Sequence, residues 1–249
     1  MSDSLLPPAE RLARTAEKRR SVLKLLRDEI WTHITVIQEL LNYQNVQNAN
    51  ATMRQLERDN LVRRATVDIP FGKPTTVWGI TGTGLNHAFD LDEQLEDRPS
   101  FEPGRIKAAT LQHRIDLQLA RVRAEKAGWT AWTPGHLLGK RLPGVKLPDA
   151  IATSHQGVLI AVEVERTIKS KKRYADILVS HLMQRKAGNW DKVFYLSPTL
   201  DFAARVERVF NSIETARHNG QVFTLSDQHR HPFFFFSLDT DEWLNSEDR

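Results

Sequence analysis

Residues 146–174 read KLPDAIATSHQGVLIAVEVERTIKSKKRY. An apolar stretch in this segment carries Asp149 near its start and Glu163 and Glu165 at its end, and a cluster of bases follows these acids. Residues 158–165 alternate in the strand period of two, so Glu163 and Glu165 lie on one face. The remaining positions on both faces are apolar, which is typical of a strand inside a sheet rather than at its edge. The stretch therefore predicts a central β-strand with two carboxylates near its end.

The segments around this strand alternate between helical and strand periods. Helices are predicted over residues 105–127, 167–187 and 200–217, and strands over 149–153, 158–165, 192–196 and 221–225. Residues 129–138 predict a further strand with a loop, and the aromatic run 233–236 predicts a buried strand. This order of elements predicts an α/β (α+β) fold with a mixed sheet flanked by helices.

The first third of the chain predicts a separate module. Helical spacing predicts helices over residues 14–29, 33–41 and 46–58, and the period then changes to predict strands over 61–69 and 75–81. The sequence ATMRQLERDNLVRR at 51–64, followed by GKPTTVWGITGTGLNHA at 72–88, resembles that of winged helix-turn-helix modules. The resemblance implies that the third helix recognises DNA and that the two strands form the wing.

Polar side chains occupy the outward face of the third predicted helix. Amide and guanidinium groups are the types that read base edges and bind phosphates, and here they are Gln47, Asn48, Asn50 and Arg54. The wing adds the cations Arg63, Arg64 and Lys73. These seven residues are the predicted DNA contacts, and the alternative is a winged helix that serves only protein contacts or dimerisation.

Residues 90–104, DLDEQLEDRPSFEPG, contain six acids, two prolines and a glycine without a clean period. Such a segment is typical of a linker. The sequence therefore predicts a winged-helix domain over 14–89, an acidic linker over 90–104 and a second domain over 105–240.

The composition excludes several classes of protein. The 249 residues are 40% hydrophobic, which is enough to bury a core, and their formal net charge is +4. The chain contains no cysteine, which excludes disulfides, cysteine-ligated zinc and a thiol nucleophile. No apolar run approaches the roughly 18 residues of a membrane span, and the first 20 residues lack the apolar core of a signal peptide. We expect a cytoplasmic protein without membrane insertion.

The acids of the opening stretch predict a metal site. Two carboxylates about 6 to 7 Å apart on one strand face would repel each other and lose hydration in an apolar sheet, so they need a cation. Asp149 begins the neighbouring strand, and a hairpin turn at residues 154–157 is expected to bring it roughly abreast of Glu165. Asp149, Glu163 and Glu165 are three oxygen ligands, which suit Mg²⁺ or Mn²⁺.

Two lysines are candidates for the catalytic cation. If a helix begins near Arg166, then Lys169 and Lys172 fall on the same side of it. Either ammonium group would stabilise the charge that builds up on a phosphate during cleavage.

The order of these residues resembles a nuclease pattern. Pro148-Asp149 followed by Glu163-x-Glu165 and a displaced lysine is similar to the PD-(D/E)xK superfamily, which has the restriction-endonuclease-like fold. In this chain Glu165 stands where the superfamily usually carries its lysine. The resemblance therefore implies that the lysine's role passes to Lys169 or Lys172.

A narrower resemblance follows from the whole chain. A winged helix joined to P-D, to E-x-E-R-T at 163–167 and to K-S-x-x-R-Y at 169–174 resembles the replication-relaxation family, including MobC-class relaxases of mobilizable plasmids, over about residues 16–225. The resemblance implies a bacterial cytoplasmic protein that recognises a plasmid transfer origin, as duplex and single-stranded DNA, and nicks one strand with a divalent metal. It also implies two protein partners, a small mobilization accessory protein and a coupling protein.

Several alternatives stay open at this stage. The acids could belong to a solvated surface strand, or the nuclease fold could be inactive and serve only binding. A non-catalytic DNA-binding protein, such as a transcriptional regulator or relaxosome accessory factor, is the main rival, and a replication or restriction endonuclease is the second. Tyr174 could be a nucleophile or a helix residue that packs on the sheet, and His181 is interpreted as a packing residue.

Overall fold

The structure is a computed structural model that describes residues 7–70, 72–139 and 146–246. Its residues separate into two units between Gln118 and Leu119. The fold is a mixture of helices and several sheets, so the α/β (α+β) class predicted from the sequence is confirmed. No helix in the described ranges is both long enough and apolar enough to cross a bilayer.

The first unit combines helices with a small sheet. In chain order its elements are α1 (Pro8–Glu29), β1 (Trp31–His33), α2 (Ile34–Leu40), α3 (Val46–Arg58), β2 (Val62–Val67), β3 (Thr75–Ile80), α4 (Gly82–Asn86) and a 3₁₀ turn (Pro103–Arg105). The three strands form an antiparallel sheet in the order β1-β3-β2. Apolar side chains from the first three helices close the core, among them Leu26, Ile37 and Met53, which are buried.

The third helix agrees with its predicted bounds, and α3 has clear signals at both ends. The side chain of Asn45 accepts a hydrogen bond from the backbone N–H of Asn48 and caps the helix start. After Arg58 the chain reaches Asn60, whose φ of 57° lies in the left-handed region and ends the helix. The short strand β1 was not predicted, because three residues that pair with Val77–Gly79 of β3 are too few to show a period.

Residues 90–104, predicted as a linker, lie within the first unit. The carboxylate of Asp90 forms ion pairs with Arg20 and with Lys24, the latter at 2.6 Å. Phe101 is buried, and its backbone N–H donates to the carbonyl oxygen of Ile80 at 2.8 Å. The division between the two units falls later in the chain, inside helix α5 (Ala108–Lys126). The predicted domain boundaries, 14–89 and 105–240, stay a prediction.

Glycine at position 79 makes room for the ring of Phe101. A Cβ atom on Gly79 would lie 1.9 Å from Cγ of Phe101. We expect Gly79→Ala to lower the free energy of unfolding by about 1–3 kcal/mol, because overpacking forces the ring or the strand to shift. Urea denaturation measures the change. Gly82→Ala is the matched control, since nothing lies within 4 Å of a Cβ there. Equal stability of the two variants would contradict the packing of Phe101 on β3.

The second unit is built around a five-stranded mixed sheet. After α5 its elements are β4 (Thr130–Pro134), α6 (Gly135–Leu138), β5 (Ala150–Thr153), β6 (Leu159–Val164), α7 (Lys171–Lys186), β7 (Lys192–Ser197), α8 (Leu200–Asn211), β8 (Thr215–His218), β9 (Gln221–Thr224), α9 (Asp227–Arg230), β10 (Phe233–Ser237) and a 3₁₀ turn (Glu242–Asn245). The sheet order is β10-β7-β6-β5-β4. Strands β6, β7 and β10 are parallel, whereas β4, β5 and β6 are antiparallel.

The strand that carries Glu163 is the middle strand of this sheet, so its predicted central position is confirmed. On one face, Ala161 and Tyr195 join a core with side chains of α7 and α8 such as Leu178 and Phe210. On the other face, Phe194 packs edge-on against Trp129, with ring centroids 6.1 Å apart. Both faces of β6 are therefore covered, which is why its sequence is apolar on both sides.

Two predicted helix boundaries in this unit are wrong. The helix predicted from Thr167 begins at Lys171, because Ser170 acts as its N-cap and accepts a hydrogen bond from the backbone N–H of Arg173 at 3.3 Å. The helix predicted to run to Arg217 ends at Asn211, and Thr215–His218 instead forms β8, which pairs with β9 in a separate two-stranded sheet. Strand β9 is thus not part of the central sheet.

Candidate active site

The hairpin of β5 and β6 brings Asp149 beside Glu163. Its turn is closed by the backbone N–H of Ser154, which donates to the carbonyl oxygen of Val158 at 2.9 Å. Ala150 pairs with Val162, so Asp149 comes abreast of Glu163 rather than of Glu165, where the sequence placed it. The carboxylate oxygen Oδ2 of Asp149 accepts a hydrogen bond from the backbone N–H of Val164 at 2.8 Å, which fixes its position at the strand end.

Glu163 is directed at helix α7 and meets a histidine there. Its Oε1 lies 3.0 Å from Nε2 of His181. Burial raises the pKa of Glu163, the hydrogen bond from His181 acts in the opposite direction, and the nearby charge of Asp149 raises that pKa further. The two carboxylates therefore repel each other in a poorly hydrated place. The sequence predicted such a pair as Glu163 and Glu165, whereas in the structure the repulsion on Glu163 comes from Asp149, and Glu165 is paired with Lys169.

His181 is buried among aromatic rings. Its ring makes edge-on contacts with the rings of Trp190, Tyr195 and Phe233, at centroid distances of 5.5, 6.5 and 6.0 Å. It is the packing residue that the sequence indicated, and it also positions the carboxylate of Glu163. The sequence could not reveal this contact, because the two partners are 18 positions apart and only the docking of α7 joins them.

Glu165 is buried and is paired with a lysine. Its Oε2 forms an ion pair with Nζ of Lys169, and its Oε1 accepts a hydrogen bond from the backbone N–H of Thr167 at 3.4 Å. The Lys169 ammonium also lies 5.7 Å from the ring centroid of Tyr174. Because Lys169 precedes the N-cap of α7, it reaches the acid from the connecting loop and not from a helix face.

The second candidate lysine lies elsewhere. Lys172 lines a separate cavity of about 350 Å³ together with Ser212 and Thr215. Of the two lysines, Lys169 is thus the one that the structure brings to Glu165. Tyr174 is buried and packs edge-on against Phe210, and burial raises the pKa of its phenol, so its environment is that of a packing residue rather than of a nucleophile.

Lys146 is a further cation whose charge interacts with the site, and it was not predicted from the sequence. Desolvation lowers the pKa of its ammonium group, the charge of Glu163 raises it, and the charges of Arg173 and Lys169 lower it again. These influences place Lys146 within electrostatic reach of both the acids and the bases. A signal was present in the sequence, since Lys146 stands three residues before Asp149 on the approach to the same strand.

The site offers two carboxylates as ligands for a divalent cation. Within residues 7–70, 72–139 and 146–246, no three acidic or histidine side chains are grouped to hold an ion by themselves. The acids brought together are Asp149 and Glu163, while Glu165 is engaged with Lys169. Mg²⁺ commonly binds through one or two protein carboxylates plus waters and substrate phosphates, so this pair of oxygen donors fits Mg²⁺ or Mn²⁺.

A buried hydroxyl near the acids adds to this fit. The phenol oxygen of Tyr195 is buried and makes no hydrogen bond with any residue that the structure describes. Burial raises the pKa of Tyr195 well above its usual range, and the charges of Glu163 and Glu165 raise it further. An unsatisfied buried hydroxyl is costly, and a bound water or ligand oxygen would satisfy it.

The predicted DNA contacts of the first unit differ in their surroundings. Gln47, Asn48, Arg54 and Lys73 are exposed, whereas Asn50 is half-buried and donates through Nδ2 to the carbonyl oxygen of Val46. Arg63 is exposed on β2 and donates to the carbonyl oxygen of Phe101, and Arg64 pairs with Glu57 at 3.5 Å. The first four are therefore the residues best placed to meet a ligand.

Comparisons with protein-family models, with curated proteins and with solved structures gave no match to this chain.

Proposed function

We propose that this chain is a divalent-metal-dependent endonuclease that nicks one DNA strand, and that it acts as a relaxase at a plasmid transfer origin. The observation that carries the proposal is the pair Asp149 and Glu163 at the end of the central strand, with Lys169 on the loop that follows. Carboxylates held against their mutual repulsion beside a lysine are suited to phosphodiester cleavage and have no evident structural use.

The second unit supports the nuclease part of the proposal. A mixed sheet whose central strand ends in the acids is consistent with the restriction-endonuclease-like arrangement that the P-D and E-x-E pattern implies. Helices α7 and α8 cover one face of that sheet, and aromatic packing covers the other. Glu163 therefore lies on a strand that is covered on both faces, which holds a catalytic group more accurately than a loop does. Asp149 directly precedes β5, and Lys169 stands on the loop before α7.

The first unit supports the DNA-binding part. Three helices followed by two antiparallel strands match the order of a winged helix-turn-helix, and α3 presents Gln47, Asn48 and Arg54 to solvent. Side chains of these types contact base edges and phosphates when such a helix enters the major groove. Lys73 follows the tip of the β2–β3 hairpin, where the wing would meet the DNA backbone.

The chemistry follows from the roles of the chain's own residues. Asp149 and Glu163 would hold the cation, and His181 keeps the Glu163 carboxylate in one orientation. A bound Mg²⁺ or Mn²⁺ supplies Lewis-acid stabilisation and lowers the pKa of a coordinated water. Lys169 brings a positive charge to the place where negative charge builds up on the cleaved phosphate.

A plasmid assay tests this proposal. Supercoiled plasmid that carries the cognate origin should become an open circle with the wild-type protein and Mg²⁺ or Mn²⁺, and should stay supercoiled in chelator. We expect Asp149→Asn to bind origin DNA with unchanged affinity and to lose nicking by about 10³-fold, since several kcal/mol of charge stabilisation disappears. Asp201→Asn, at an exposed acid of α8, is the matched control.

Two outcomes would overturn the assignment. Nicking that survives both Asp149→Asn and Glu163→Gln would remove the acids from the mechanism. Tight, metal-independent binding of the origin without any nicking would instead identify a non-catalytic DNA-binding protein. A denaturing gel of the products adds a further check, because cleavage by water leaves no protein attached to the DNA.

A further inference from the structure

We infer that the second unit carries its own binding surface for the phosphodiester backbone of DNA, formed by Lys146, Lys171, Lys172 and Arg173. We call these four residues the α7 basic surface. The choice of DNA as the ligand rests on the proposed function. The surface is nevertheless a binding site separate from α3 and the wing. All four side chains are exposed.

The placement of charge on α7 indicates a negatively charged partner. A helix carries a partial positive charge at its N-terminus, so acids are favoured there and bases are unfavourable. The first three residues of the 16-residue helix α7 are nevertheless Lys171, Lys172 and Arg173, and its first turn contains no acid. Folding alone gives no reason for this arrangement, whereas a polyanion would offset its cost.

A base from a distant part of the sequence joins the group. Desolvation lowers the pKa of Lys146, the charge of Glu163 raises it, and the charge of Arg173 lowers it again, so Lys146 and Arg173 act on each other although they stand 27 positions apart in the chain. Like charges gathered from two segments repel each other. Such a surface is the electrostatic footprint of a polyanion-binding protein.

A cavity lies beside the helix start. Lys171 and Lys172 line a space of about 350 Å³ with the side chains of Ser212 and Thr215, and Glu214 also borders it. Hydroxyl and ammonium groups are the common contacts of phosphate oxygens in protein–DNA complexes. The surface therefore combines long-range attraction with polar groups that would fix the position of a backbone.

The test measures DNA binding by the full-length chain in chelator, so that cleavage plays no part. The probes are single-stranded and duplex oligonucleotides that lack the transfer origin, and the variant combines Lys171→Gln, Lys172→Gln and Arg173→Gln. We expect its Kd to rise at least about 10-fold at low salt. The slope of log K against log salt concentration should fall by roughly 2 to 3, because each lost phosphate contact removes about 0.7 to 0.9.

The matched control removes three exposed charges, two from the C-terminal end of α7 and one from α8, by Arg185→Gln, Lys186→Gln and Arg205→Gln. We expect it to change the salt slope by less than about 1. An unchanged slope in the α7 variant, or an equal fall in the control, would overturn the inference. Thermal melting shows that the α7 variant is folded, and its melting temperature should equal or exceed that of the wild type, because cations leave the helix N-terminus.

The two probes identify which form of DNA the surface takes. A loss confined to the single-stranded probe assigns the surface to a displaced strand, and a loss confined to the duplex assigns it to DNA that flanks the site. Failure of this inference is distinguishable from failure of the proposed function. A protein that nicks normally but has an unchanged salt slope would contradict only the α7 basic surface.

Discussion

Glu163→Gln is expected to abolish nicking and, at the same time, to make the protein more stable at neutral pH. The loss of nicking should reach about 10³-fold, because the amide cannot replace a charged ligand and several kcal/mol of charge stabilisation are lost. The gain in stability follows from the surroundings of Glu163, whose carboxylate is half-buried and is repelled by the charge of Asp149. The amide removes this repulsion and can still hydrogen-bond to His181.

The stability gain of Glu163→Gln should increase as the pH rises. The pKa of Glu163 is raised in the folded state above its ordinary value of 4.5, so the folded protein binds this proton more tightly than the unfolded chain does. Stability from this group is complete below the ordinary pKa and is lost as pH rises through the raised pKa. The free energy of unfolding of the wild type should therefore fall across this interval, by about 1.4 kcal/mol for each pH unit that separates the unfolded-state pKa from the folded-state pKa.

Urea denaturation over a pH series checks this expectation. The curve for Glu163→Gln should be flatter than the wild-type curve and should lie above it at neutral pH, whereas Glu207→Gln, at an exposed position on α8, should follow the wild type. Added Mg²⁺ provides a second readout that does not depend on activity. At about 100 times its Kd it should stabilise the wild type by about 2.7 kcal/mol and leave Glu163→Gln unchanged. Equal stabilisation of both proteins would mean that Glu163 is not a ligand.

Lys169→Met is expected to reduce nicking by about 10²- to 10³-fold and also to destabilise the fold. The first effect follows if Lys169 stabilises the charge on the cleaved phosphate, because removing one such donor has effects of this size. The second follows because the buried carboxylate of Glu165 loses its cation. An unpaired buried charge costs about 3–5 kcal/mol when its partner is removed.

A double variant separates the two effects. Combining Lys169→Met with Glu165→Gln removes the unpaired charge, so most of the stability should return, which urea denaturation would measure. Nicking should stay low if Lys169 acts on the phosphate. Recovery of nicking together with stability would show that Lys169 only neutralises Glu165. Lys186→Gln, at the opposite end of α7, is the control for the loss of a lysine.

The parts of the fold that could be predicted from the sequence are those governed by local periodicity. The central position of β6 follows from an apolar alternation on both faces, and the bounds of α3 follow from its Asn45 cap and from Asn60 after its end. The start of α7 was predicted too early, because the bases around Lys169 continue a helical spacing beyond the Ser170 cap. Local spacing alone cannot tell a loop from the first turn of a helix.

The parts of the candidate site that could not be predicted depend on contacts between distant segments. The acids Asp149 and Glu163 were identified by residue type, but their register depends on which pair closes the turn. The hydroxyl of Ser154 accepts hydrogen bonds from the backbone N–H groups of Gln156 and Val158, and so fixes that turn. The approach of His181 to Glu163 depends on how α7 packs, which no spacing in the sequence expresses.

The ion pair between Glu165 and Lys169 also has a consequence for the order of assembly. The two residues are four positions apart on the same connection, whereas Glu163 and His181 are 18 apart. Closing a short loop costs less conformational entropy than closing a long one. We therefore expect the charge of Glu165 to be compensated as soon as this connection becomes ordered, whereas Glu163 should become oriented only when α7 packs on the sheet. Glu165 thus depends on a contact within its own connection, whereas Glu163 depends on a contact that exists only in the complete fold.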